Sequence, residues 1–151
     1  MSQKSNPSLS AAQARDLRAI AATMVPASVE YGVPGADDPI IFADITGSVG
    51  PDIGALRDAL RIVSELSAGA FCDLNATARA GVAEAIQARG GAPQAVLSRV
   101  ILQCYYRDDR VLSALGLEAR APFPNGRELE QGDWSLLDAV RNRPRMWRDV
   151  H

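Results

Sequence analysis

Residues 51–69 read PDIGALRDALRIVSELSAG. Ile53, Leu56, Leu60 and Val63 fall at steps of three and four, so a helix carries them on one face. The stretch predicts a helix from about Pro51 to Ala68, with Gly69 at the C′ position, where a left-handed residue ends it. Working outward, the same period recurs on both sides. Upstream, Ser10 and Gln13 form a capping box, and Leu17, Ile20, Ala21, Met24 and Val25 follow at helical spacing until Pro26 stops the run. The loop PASVEYGVPGADDP leads to Asp38-Pro39, an N-cap and first-turn proline, and a short helix through Ile40, Ile41, Phe42 and Ile45 that Gly47 and Gly50 end.

Downstream, a fourth helix is expected from about Asn75 to Arg89, with Val82 and Ile86 inward and Gly90-Gly91 closing it. A fifth starts at Pro93 and carries Val96, Leu97, Val100, Ile101 and Cys104. Asp108 caps a short sixth ending near Leu115-Gly116, and Asp133 caps a last one through Leu136, Leu137 and Val140. Between these two, APFPNGRELEQGD reads as an extended loop. No stretch shows convincing period-two alternation. The expected fold is therefore all-α: a disordered lead-in over residues 1–9, then one helical domain over residues 10–151, with five to seven helices and an extended C-terminal loop and arm.

Composition narrows the function. The chain has 151 residues, 47% of them hydrophobic, enough for one domain with a sizeable core. Sixteen basic against eighteen acidic residues leave a net charge of −2, which lacks the basic surplus of a nucleic-acid binder. The one histidine is His151, so an internal His base or His ligand is excluded. Cys72 and Cys104 form no CxxC and suggest no structural zinc. Cys72 precedes Asp73, and Cys104 lies on an apolar helix face, so buried, inert thiols are expected; a disulfide stays open if the protein is exported. No GxSxG, GxGxxG or Walker A run is present, and Asp37-Asp38 lacks further oxygen ligands for a cation. Neither a signal peptide nor a spanning segment is legible, so a cytoplasmic protein is expected, with co-export on a signal-bearing partner as the alternative.

Three clusters stand out instead. Cys104-Tyr105-Tyr106-Arg107-Asp108-Asp109-Arg110 mixes aromatics and arginines, the residue types that anchor protein interfaces. It reads equally as an internal network, with a tyrosine in the core, Asp108 capping and Arg110 paired with an acid. Pro122-Phe123-Pro124-Asn125-Gly126 either presents Phe123 to a partner or folds Phe123 back as a plug. The tail, with Trp134, Met146 and Trp147 among arginines, either wraps a partner or docks on its own helices.

A resemblance rests on these segments. Leu17 to Ala27, LRAIAATMVPA, and the loop Gly32-Val33-Pro34-Gly35-Ala36-Asp37-Asp38 are similar to the early helix and Pro-Gly-Ala loop of the gluconate 2-dehydrogenase subunit 3 family. The run QCYYRDDRVLSALGLEARAPFPNGRELEQGDWSLLDAVRNRPRMWR resembles a branch of that family found with flavin-dependent oxidoreductases of the glucose-methanol-choline type. The resemblance implies a non-catalytic small subunit. Its large partner subunit would hold FAD and oxidise a sugar or alcohol hydroxyl, while the small subunit supports folding, stability or export. Family members commonly carry a twin-arginine signal, which this sequence does not show. The resemblance supplies no catalytic, cofactor-binding or metal-binding residue. The expected partner-binding residues are Tyr105, Tyr106, Arg107, Arg110, Phe123, Trp134 and Trp147. The alternative is a helical homo-oligomer or adaptor without a flavoprotein partner.

Overall fold

A computed structural model describes residues 8–120, 123, 124, 126 and 131–144. The described residues are all-α: α1 (Ala11–Met24), α2 (Pro39–Ser48), α3 (Ile53–Leu66), α4 (Ala76–Arg89), α5 (Gly91–Tyr105), α6 (Asp109–Ala114) and α7 (Asp138–Arg141). Single turns of 3-10 helix cover Gly50–Asp52, Phe71–Asp73 and Trp134–Leu137. Among the described residues there is no strand, only an isolated antiparallel bridge between Ser28 and Val33. Contacts divide the chain between Ala119 and Arg120 into two units.

The first unit holds the core. Helix α3 places Ile53, Leu56, Ala59, Leu60, Ile62 and Val63 on its buried side and packs most extensively on α5. Helix α5 answers with Val96, Leu97, Val100, Ile101, Cys104 and Tyr105. Leu17, Ile20 and Ala21 of α1 and Ile41 and Ile45 of α2 close the cluster. Each large aliphatic side chain taken out of water here stabilises the fold by about 1.5–3 kcal/mol. Contacts extend ahead of the α1 cap into residues expected to be disordered: Arg57 donates to the Ser8 carbonyl at 2.7 Å, and Leu9 packs against the core. Ser10 and Gln13 form the reciprocal capping box the sequence predicts.

Several local expectations are corrected. Helix α3 ends in a Schellman motif one residue earlier than expected. Ala68 takes the left-handed C′ position at φ +52°, while Gly69 follows it and donates to Ser64 O at 3.1 Å. Gly47 does not stop α2, which runs to Ser48 before Pro51 enters the 3-10 turn. Helix α5 starts at Gly91; Pro93 fits its first turn, where no intrahelical donor is needed. Met24, placed on the apolar face of α1, is partly open to solvent at the helix end.

The connection from α3 to α4 is pinned from two sides. Phe71 is buried. The Cys72 N–H donates to Asp16 of α1 at 2.9 Å, and Arg79 of α4 donates to the Cys72 carbonyl at 2.6 Å. The Arg79 guanidinium also lies 5.8 Å from the Phe71 ring centre.

The second unit is of another kind. Asp133 accepts hydrogen bonds from the Ser135 N–H at 3.0 Å and hydroxyl at 2.6 Å, opening the Trp134–Leu137 turn. Helix α7 continues it for one turn. None of its described residues is buried.

Candidate partner-binding surface

The aromatic and arginine cluster begins at the end of α5. That helix ends at Tyr105, and Asp108 caps α6, so residues 105–110 form a tight corner. Tyr105 points into the core; its hydroxyl donates to the Pro34 carbonyl at 3.2 Å, and burial raises its pKa. Tyr106 stands 53% exposed, with its ring edge-on to Tyr105 at 5.2 Å between centres.

Both arginines are held by carboxylates of α2. Arg107 grips Asp44 with two N–H groups, one bond being 2.6 Å, and donates to the Ser48 hydroxyl at 2.6 Å. Arg110 reaches Asp38 at 2.8 Å and Asp108 at 3.0 Å. Asp38 caps α2 through the N–H groups of Ile40 and Ile41, and Asp108 caps α6 through that of Arg110. One guanidinium therefore ties two helix N-termini together. The Arg110 hydrogen bonds hold Asp38 and Asp108 below the ordinary carboxylate range, and Arg107 does the same to Asp44. The internal network, one of the two alternatives for this cluster, is thus present in full. It leaves Tyr106 and the exposed Ile40 at the surface, beside arginines already fixed in position.

A second surface element was legible only as a loop. Ser28 and Val33 exchange backbone hydrogen bonds of 3.0 Å each, and the Ala36 N–H donates to Val25 O at 2.9 Å. Glycine suits position 35, because a Cβ there would press on the backbone, 3.0 Å from Ala27 N and 3.4 Å from Val25 O. This small hairpin holds Val29 fully exposed and Tyr31 70% exposed at its tip. The signal for Val29, Tyr31 and Ile40 was weak, since each is a single apolar residue in a polar setting.

In the second unit, Phe123 is 87% and Trp134 62% exposed, and Leu136, Leu137 and Val140 are open as well. Trp147, Met146, Pro122 and Asn125 lie outside the described residues.

Cys104 lies beneath the arginine cluster, in the cleft lined by Ile40, Asp44, Arg107 and Arg110, and Cys72 lies in the connection from α3 to α4. Both cysteines are free; Cys104 is buried and Cys72 partly so. Burial first, then nearby carboxylates, Asp44 for Cys104 and Asp16 for Cys72, push both thiols up, away from the reactive thiolate. Among the described residues no cluster of three or more His, Cys, Asp or Glu could hold a metal ion, and no helix is long and apolar enough to cross a membrane.

Comparison with protein-family models, with curated proteins and with solved structures gives no match.

Proposed function

We propose that the chain is a non-catalytic small subunit that binds and stabilises the large subunit of an FAD-dependent oxidoreductase acting on a sugar or alcohol hydroxyl. The observation that carries the binding role is the second unit. Phe123, Trp134, Leu136, Leu137 and Val140 all stand in solvent in a segment with no buried residue among those described. Such a segment gains its apolar burial from another molecule. Trp134 supplies the large rigid contact typical of an interface centre, and the hairpin tip and Tyr106 supply further anchors already held by backbone and side-chain bonds.

The flavoprotein identity of the partner rests on the resemblance of residues 17–27, 32–38 and 103–148. The FAD belongs to that partner, and this chain contributes no group to the chemistry. The chain acts in the cytoplasm, or beyond it by export on a signal-bearing partner.

The test is an affinity capture of the tagged full chain from its source cells, with an absorbance spectrum of the eluate. The expected result is a stoichiometric larger protein with oxidised-flavin bands near roughly 370 and 450 nm. A colourless, self-associated chain would overturn the flavoprotein reading and favour a helical homo-oligomer.

A further inference from the structure

Helix α4 is poorly anchored for its length. Over 14 residues it buries only Ile86, whereas α3 buries six residues over the same length. Its sequence, ATARAGVAEAIQAR, explains this: six of the fourteen residues are alanine, and Val82 and Ile86 are its only large apolar side chains. A cavity of about 400 Å³ opens between α4 and helices α1, α3 and α5, lined on the α4 side by Val82, Ala83, Ile86 and Gln87. Its floor is the core itself, with Val63, Phe71, Ile86 and Leu97 each at most 8% exposed.

The lining defines what would fill it. No ionisable side chain lines the cavity. Its polar groups are neutral: Thr23, whose hydroxyl is spent on Ala19 O at 2.8 Å, and Gln87, Gln94 and Ser98. Gln94 donates to Ser98 Oγ at 3.3 Å, which leaves its carbonyl and the Ser98 proton for another group. Water finds few partners against such walls, and an empty space of this size forfeits the contacts of every side chain around it. Pockets of this volume, apolar with a few polar groups, suit small ligands.

We propose that the cavity beneath α4 is a binding site for one uncharged, mainly apolar small molecule with a single hydrogen-bonding group. The ligand completes the packing that Ala83 and its neighbours on α4 leave undone, and its polar group meets Gln94 and Ser98. This site is independent of the partner-binding role, which rests on other residues.

The test uses the full chain and N-phenyl-1-naphthylamine, an uncharged dye that fluoresces in apolar surroundings. The expected result is saturable enhancement at one dye per chain, with slower amide exchange across residues 76–89. Ala83 lines the cavity from α4 and Ser98 from α5. A83F and S98L each fill space and are expected to weaken the dye at least about tenfold while the circular dichroism stays unchanged. L115S, at an exposed residue outside the lining, is expected to bind like the parent. Non-saturable enhancement overturns the proposal. So does undiminished binding in a folded A83F or S98L, or loss of binding in L115S alone. Equal affinity for the anionic relative 8-anilinonaphthalene-1-sulfonate overturns the uncharged class.

Discussion

Residues 8–119 and the described residues beyond them use the same helix signals to opposite ends. Ser10, Asp38, Asn75 and Asp108 cap helices whose apolar faces meet one another in a common core. Asp133 caps an equally clear turn, yet Trp134, Leu136, Leu137 and Val140 stand exposed. The lesson is that a cap and a helical period specify a helix, not its burial. Burial requires a second face nearby, and a segment of one or two turns cannot supply it. Apolar residues that stay exposed in an ordered, capped turn are the part of the molecule with binding energy still to realise.

The comparison breaks or sharpens under mutation. The largest effect belongs to the core. Leu56 has no exposed surface, and Leu56→Ala is expected to cost about 2–5 kcal/mol in chemical denaturation. Trp134→Ala is expected to leave that stability within about 0.5 kcal/mol. In the captured complex, however, it should cost on the order of 2 kcal/mol of binding, measured by titration against the partner. A Trp134 variant that unfolds the chain, or one that binds undiminished, would erase the distinction between the two regions.

A smaller effect tests the α3 terminus. Ala68 sits at φ +52°, a conformation that costs an L-residue about 1 kcal/mol or more. Ala68→Gly is therefore expected to raise stability by roughly 0.5–1 kcal/mol, seen as a higher denaturation midpoint. A loss of stability would place the helix end elsewhere.

The smallest concerns pH. Asp38, Asp44 and Asp108 are held below their ordinary value by Arg110 and Arg107. A lowered folded-state pKa contributes stability that is complete above the unfolded value and lost as pH falls through the folded one. Stability should thus decline below about pH 4. Because the Arg107–Asp44 pair is nearly half exposed, Asp44→Asn should remove under about 1 kcal/mol at neutral pH and flatten that decline. An acid limb identical in the variant would show that Asp44 does not contribute.

Much of the fold was legible because its signals are local. The α1 capping box, the Asp38-Pro39 start and the 53–63 stripe each depend on residues within a turn or two of one another. The helix ends were less legible. Gly69 was the expected left-handed residue, but the Schellman bonds from Ala68 to Glu65 and from Gly69 to Ser64 fix the register one residue earlier. Helix α2 ends between the two glycines expected to close it, at Ser48 with Val49 as its C-cap.

The candidate surface was legible only in part. The 104–110 cluster was visible as a concentration of aromatics and arginines. Which of them face outward depends on Asp38, Asp44 and Pro34, some 60 to 72 residues earlier in the chain. The hairpin tip was missed because its ordering comes from a pairing of Ser28 with Val33, not from a run of strand-forming residues.

The sequence by itself determined the all-α class, the positions of the caps and the apolar stripes, because helix formation is set by groups within about four residues of each other. The tertiary structure alone decided that Tyr105 is core and Tyr106 surface, that Arg107 and Arg110 fasten α2, and that Val82, Ala83, Ile86 and Gln87 of α4 line a cavity. Those outcomes depend on which faces meet, and that is fixed by packing between segments far apart in the chain.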